Sequence, residues 1–231
     1  MLDKKLIKEK FTKNISTYSY NAIVQEEIAN RLADFCKGKH DNILEIGSYT
    51  GLLTKKLIKK VEFKNYTAID IINSFDYIKN LNRNIKFILG DIEKLELTEK
   101  YDLIASSSSL QWCNDFYKVI KKLKNHLNPC GRLIISVFGK KNLYQIKEAF
   151  GVSLDYPDIK EIKKILPNAK IFEETKTLQF NTTREVLRHM KNTGVNSFKN
   201  TYTYSQIKEK MKILEKEFDN KLTYNPLYII N

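Results

Sequence analysis

The stretch Asn42-Ile43-Leu44-Glu45-Ile46-Gly47-Ser48-Tyr49-Thr50-Gly51 decides how this chain folds. An apolar strand runs into an acid, then a glycine-bearing turn, then the helical stretch Leu52 to Lys60. A strand that stops at a glycine turn and re-enters as a helix gathers backbone N–H groups and a helix N-terminus around one small cavity. Further along, a second apolar strand, Tyr66-Thr67-Ala68-Ile69, ends in Asp70. A carboxylate at that place can take both hydroxyls of a ribose. The two strand ends together point to a bound nucleoside.

The turn itself narrows the choice. A G-x-G-x-x-G dinucleotide loop needs glycines that are missing here, and no Walker lysine pattern follows. What remains is Glu-x-Gly-x-x-x-Gly, with Glu45 ahead of the turn. An acid there would repel a pyrophosphate and suits a cationic ligand, such as the amino group of a methionine moiety.

Outward from the turn, strands and helices alternate. Helix-period apolar residues run from Asn21 to Cys36 after a charged arm or helix, Met1 to Thr17, and Gly38 ends the helix. Strands are expected over Asn42–Ile46, Tyr66–Asp70, Ile85–Leu89 (ending in Gly90-Asp91), Tyr101–Ser106 and Arg132–Phe138, the last after a turn at Asn128-Pro129-Cys130-Gly131. Helices are expected over Leu52–Lys60, Ser74–Asn80 and Asp115–His126. This alternation implies a mostly parallel sheet covered on both faces. Beyond Gly139 come helices over Leu143–Phe150 and Asp158–Leu166, then one alternating strand, Ala169–Phe180. A helix capped near Thr182 and stopped by Gly194, a helix capped by Ser205 and running to Phe218, and a final strand, Thr223–Ile230, complete the chain.

Composition bounds the rest. The 231 residues suit one large domain, 42% hydrophobic content is enough for a core, and 4 Pro with 8 Gly argue against a long disordered linker. No apolar run reaches the roughly 18 residues of a membrane span, and the charged Met1–Lys10 stretch is followed by no apolar block, so neither membrane span nor signal peptide is expected. Cys36, Cys113 and Cys130 show no metal spacing and no disulfide framework, which fits a reducing cytoplasm. The net charge is +13, carried mostly by lysine; the arginines are only Arg31, Arg83, Arg132, Arg184 and Arg188. Nucleic-acid recognition favours the planar guanidinium. The excess therefore reads as a solvated lysine surface, with an acidic protein partner as the next reading and nucleic acid disfavoured.

The order Leu44-Glu45-Ile46-Gly47, Asp70, Gly90-Asp91-Ile92 and Tyr101-Asp102-Leu103-Ile104 resembles a class I S-adenosylmethionine-dependent methyltransferase over about Asn42–Phe138. The flanks resemble, more narrowly, the malonyl-acyl-carrier-protein O-methyltransferases of biotin synthesis. They do so at Phe11-Thr12-Lys13-Asn14-Ile15-Ser16-Thr17-Tyr18 with Ala22 and Gln25, at Ser109-Leu110-Gln111-Trp112, at Leu187–Asn196 and at Leu222-Thr223-Tyr224. The implied fold is a Rossmann-like, doubly wound seven-stranded sheet, mostly parallel with its last strand antiparallel, plus a helical lid. The implied organisation is a single domain over 1–231. Within it lie an N-terminal arm and helix (1–36) forming part of the lid, a cofactor core (42–139), a largely helical acceptor insertion holding one core strand (140–203), and a final helix and strand (204–231).

The resemblance also implies roles. Glu45 and the Gly47 and Gly51 backbone border the methionine part of the cofactor, with Ser48 and Tyr49 in the same loop. Asp70 takes the ribose hydroxyls beside Ile71; Asp91 bonds the adenine amino group with Ile92 beside the ring; Ser107 lines the methionine side. Tyr49 stands where the family commonly has glycine, and its side chain either crowds the loop or forms part of the pocket wall. On the acceptor side Arg188 docks the malonyl carboxylate through a planar fork, aided by Arg184 one turn earlier. Tyr18 and Trp112 lie near the sulfonium, and Gln111 orients an acceptor oxygen. No metal is required. The expected partner is an acidic acyl carrier protein bearing a malonyl thioester, or malonyl-CoA, met by lysines such as Lys191 and Lys199; no nucleic acid and no membrane are expected. The rival readings are a methyltransferase for another small carboxylate or hydroxyl, a nucleic-acid methyltransferase, and a binding module that keeps the fold without activity.

Overall fold

A computed structural model describes residues 2–194 and 202–231; Lys199, with Val195 and Asn196, lies outside them. Two helices lead, α1 (Lys4–Asn21) and α2 (Ile23–Ala33). Strands β1 (Gly38–Ile46), β2 (Val61–Asp70), β3 (Lys86–Leu89), β4 (Tyr101–Ser107) and β5 (Leu127–Phe138) then alternate with α3 (Leu52–Lys60), α4 (Phe75–Leu81) and α5 (Phe116–Asn125). A short 3-10 turn, Leu110–Trp112, follows β4. The remainder is α6 (Tyr144–Phe150), α7 (Ile159–Ile165), β6 (Lys170–Glu173), β7 (Lys176–Gln179), α8 (Thr183–Asn192), α9 (Tyr204–Phe218), β8 (Lys221–Tyr224) and β9 (Pro226–Ile230). Among the described residues no helix is long and apolar enough to cross a membrane.

Seven strands form one sheet in the order β3-β2-β1-β4-β5-β9-β6. Every pairing from β3 to β5 is parallel, and β9 runs antiparallel to both its neighbours. Alternation along β1 places Ile43 in the apolar layer that holds Leu32 and Leu57, and Leu44 and Ile46 in the opposite layer with Ile120 and Leu123. Both faces are thus covered, as parallel strands require. Strand order reverses between β1 and β4, which opens a crevice at the carboxyl ends of β1, β2 and β4.

Four local expectations need correction. The arm and the first amphipathic helix are two helices broken at Ala22, which is fully buried beside Tyr18, Tyr49 and Ile72. The turn at Asn128–Gly131 lies inside β5 as a register shift, with Cys130 in the left-handed region at φ +65. The cap of α9 is Thr203, whose hydroxyl takes Gln206 N–H while the Gln206 side chain takes the Thr203 N–H; Ser205 is already inside the helix. Finally, the two strands expected over 169–180 and 223–230 are each split. β7 and β8 leave the main sheet and pair with one another. Asn225 marks that break: buried between β8 and β9, it donates through Nδ2 to Glu173 Oε1 and Glu174 O and accepts Lys141 N–H at Oδ1.

Candidate functional site

The turn after β1 is built from left-handed backbone. Gly47 has φ +72 and donates its N–H to Ile69 O at 2.8 Å; a Cβ there would meet Ser109 Oγ at 2.0 Å, so only glycine fits. Gly51 has φ +81 and donates to Ser48 O at 2.7 Å. Tyr49 holds φ +40, strained for a residue with a side chain, and two bonds hold it there. Its N–H donates to Asp70 Oδ2 at 2.8 Å and its hydroxyl donates to Phe11 O at 2.7 Å. Its ring lines the cavity, so of the two readings of a side chain in this loop the wall of the pocket is the one realised.

Asp70 ends β2 at the cavity's centre. Oδ2 takes Tyr49 N–H, Oδ1 takes Ile72 N–H at 2.7 Å, and each oxygen keeps a lone pair for a ligand. Burial pushes its carboxyl up to about 6, opposed by those backbone donors. The crevice has two adjoining lobes that share Ile7, Gly47, Asp70, Ile71, Ser109 and Trp112. The larger, about 680 Å³, includes Ser48, Tyr49, Ser107 and Tyr18 in its walls. The smaller, about 440 Å³, includes Asp91, Ile92 and Leu110.

Helix α1 roofs the crevice. Ile7, Phe11 and Tyr18 face it at helical spacing, and Lys4 pairs with Glu93 at 2.7 Å and Asp91 at 3.6 Å. Phe11 meets Trp112 edge-on at 5.7 Å and Tyr49 at 5.5 Å, and Tyr18 meets Tyr49 at 4.7 Å, so four rings enclose one side of the larger lobe.

Three expected site residues sit elsewhere. Glu45 is 1% exposed and does not line the crevice; its Oε2 accepts from Thr54 Oγ1 at 2.7 Å and from the Tyr66 hydroxyl. Alternation along β1 turns it toward α3 instead, and burial pushes its carboxyl up to about 7. Arg188 and Arg184 are exposed on α8, which packs against α1, and neither takes a hydrogen bond or ion pair among the described residues. Gln111 is buried behind the crevice rather than in it. Its Nε2 donates to Ser108 O at 2.6 Å. His189, next to Arg188, bonds the Tyr224 hydroxyl through Nε2 at 2.8 Å and packs on Phe180.

Two site residues went unassigned in the sequence. Phe11 is the second residue of the Ile7-Phe11-Tyr18 stripe, a period visible beneath the lysines of the arm. Gln25, 5% exposed on α2, lines the larger lobe, and its Oε1 is buried with no donor; Ser48 Oγ beside it is equally unpartnered. A buried polar atom without a partner calls for one, and these two line the cavity from which a ligand could supply it. No periodicity singles out Gln25, since a buried glutamine on an amphipathic helix looks like any other polar residue.

The methyltransferase domain family matches residues 44–135. A malonyl-[acyl-carrier protein] O-methyltransferase of Calditerrivibrio nitroreducens is 33% identical over 235 residues, covering 96% of this chain and 94% of that protein. This chain belongs to the malonyl-[acyl-carrier protein] O-methyltransferase family. A second relative in that family, malonyl-[acyl-carrier protein] O-methyltransferase 2 of Ilyobacter polytropus, is 32% identical, covering 85% of this chain and 83% of its own. Among solved structures, the N-methyltransferase NodS of Bradyrhizobium japonicum WM9, in complex with S-adenosyl-l-homocysteine, aligns with a TM-score of 0.59 at 15% identity, over 97% of this chain and 96% of that one. That likeness is one of fold. The domain match holds Gly47, Asp70, Asp91 and Trp112, while α1, α2 and α8 lie outside it and are reached by the O-methyltransferase relatives.

Proposed function

We propose that this chain transfers a methyl group from S-adenosylmethionine to the free carboxylate of a malonyl thioester on an acyl carrier protein, yielding the malonyl methyl ester used in making the biotin precursor. Similarity that runs through both flanks, and not only through the cofactor domain, carries this reading. Malonyl-CoA is the alternative carrier of the same acyl group.

The crevice fits the cofactor by its own chemistry. Asp70 offers lone pairs to a ribose diol, and Ile71, Ile92 and Asp91 form a slot for a purine and its amino group. The unpartnered Gln25 Oε1 and Ser48 Oγ, with Ser107 and the turn at Gly47 and Gly51, would hold the amino and carboxylate groups of the methionine end. Glu45 supports the turn from behind, its carboxyl held by Thr54 and Tyr66. The cofactor supplies an electrophilic methyl on a sulfonium. The chain's own work is alignment: the rings of Phe11, Tyr18, Tyr49 and Trp112 keep water from one side of that position and present π faces to a cation, an attraction of roughly 0.5–2 kcal/mol. A malonyl carboxylate is ionised near pH 7, given reference values near 4, so no base is needed; Tyr18, in the wall of the larger lobe, would donate its hydroxyl to it. Arg184 and Arg188, exposed on α8, suit the carrier's acidic surface rather than the carboxylate.

Calorimetry and mass spectrometry test the two halves. Gln25→Leu and Asp70→Asn each weaken S-adenosylmethionine binding, and the wild type adds one methyl to malonyl-carrier protein. A wild type that binds the cofactor yet leaves every malonyl thioester unmethylated refutes the acceptor; unchanged affinity in both variants refutes the cofactor assignment.

A further inference from the structure

Among the described residues no lysine, arginine or histidine lines the larger lobe of the crevice. Lys4 reaches only the smaller lobe, where Asp91 and Glu93 engage it. The one acid in the wall of the larger lobe is Asp70, whose carboxyl, pushed up to about 6, is still mostly ionised at neutral pH. What the lobe offers instead is hydroxyls. The Tyr18 hydroxyl has no hydrogen-bond partner among the described residues. Burial raises its pKa and the Asp70 carboxylate raises it further, so the phenol stays protonated and remains a donor. Ser109 lines both lobes and so stands where they meet. Its Oγ, also without a partner among the described residues, lies so near the Gly47 backbone that a Cβ there would meet it at 2.0 Å. Neither oxygen is sealed off by its neighbours, in contrast to Ser108 Oγ and Gln111 Oε1.

We propose that the acceptor carboxylate is docked by two neutral donors, the hydroxyls of Tyr18 and Ser109, with the cofactor's sulfonium as its counter-charge, so that the malonyl group enters only after the cofactor; this rests on the malonyl reading above. In the cofactor-free lobe Asp70 repels a second carboxylate, and in surroundings poor in water that repulsion is stronger than in bulk solvent. A cofactor with a net positive charge offsets Asp70 and supplies the attraction that no described side chain of the lobe does. Methyl transfer forms one carboxylate O–C bond and leaves the S–C electron pair on sulfur, so both charges vanish together. The neutral ester then faces a neutral thioether and the attraction is gone. A cationic side chain in the lobe would instead hold a carboxylate in every state of the cofactor.

Two unreactive cofactor forms give the test. Sinefungin carries a cationic amine at the sulfonium position, and S-adenosylhomocysteine carries a neutral thioether there. In calorimetry malonyl-carrier protein should bind the sinefungin complex at least tenfold more tightly than the S-adenosylhomocysteine complex, while the carrier's malonyl methyl ester binds both alike. The carrier's own surface contributes equally to all four titrations. Tyr18→Phe and Ser109→Ala should each weaken binding of the malonyl form to the sinefungin complex about tenfold, the scale of a hydrogen bond to a charged group. Sinefungin affinity should stay within twofold in Tyr18→Phe, which keeps the ring. Equal measurable affinity of the malonyl form for the two complexes, or the same preference shown by the ester, overturns the counter-charge; wild-type affinity in both variants overturns the hydroxyls. A wild type that binds sinefungin yet takes up malonyl-carrier protein in neither complex overturns the malonyl reading itself, and this docking with it.

Discussion

Glu45 and Gln25 show how a residue's chemistry depends on which way its strand or helix turns it. From sequence, the acid ahead of the glycine turn is the natural partner of a cationic ligand, and Gln25, though part of the family resemblance, has no role in the site. Pleating along β1 turns Glu45 inward to Thr54 and Tyr66, whereas α2 turns Gln25 to the crevice. A carboxyl held near 7 instead of its ordinary 4.5 is a group that folds best when neutral. Its contribution to stability is fully present below pH 4.5 and is lost as pH rises through 7, a fall of roughly 3 kcal/mol. Asp70, pushed up to about 6, adds a fall of the same sign at lower pH. Denaturant unfolding of Glu45→Gln between pH 5 and 8 should therefore give a flatter profile than the wild type. Parallel profiles for the two proteins would remove Glu45 as the titrating group.

At the scale of elements, the glycine turn and α1 are fastened together. The Tyr49 hydroxyl bonds Phe11 O, the Tyr49 N–H bonds Asp70, and the ring packs on Phe11 and Tyr18. The turn was legible because Gly47 and Gly51 advertise backbone that only glycine adopts freely. That α1 covers it was less so, since a stripe of Ile7, Phe11 and Tyr18 is diluted by lysines that satisfy no period. Tyr49→Phe keeps the packing and deletes one hydrogen bond, worth roughly 1 kcal/mol, or about fivefold in a binding constant. Its expected signature is faster amide exchange across α1 and faster release of S-adenosylmethionine in stopped flow. Wild-type rates in both measurements would mean that the tie does not hold the roof.

For the whole molecule, alternating strands and helices made the doubly wound sheet readable, whereas the net charge of +13 read first as a solvated lysine surface and only second as a match for an acidic partner. The exposed Arg184 and Arg188 on α8 give that charge a place beside the roof. Carrier binding should weaken as salt rises, and the Arg184→Ala/Arg188→Ala variant should lose part of that dependence, while cofactor affinity barely moves. Equal carrier affinity at low and high ionic strength would remove electrostatic attraction from the account. What the sequence reading passed over was the splitting of its late strands: the apolar run Thr223–Ile230 is interrupted by Asn225-Pro226, a pair that marks a turn or the start of a strand. The outcome is that β9 lies between β5 and β6. During synthesis β6 emerges before the strand that will hold it, so the nascent sheet waits with an open slot. In that interval β5 presents a bare hydrogen-bonding edge, and occupancy by a chaperone or by a neighbouring chain competes with the native insertion.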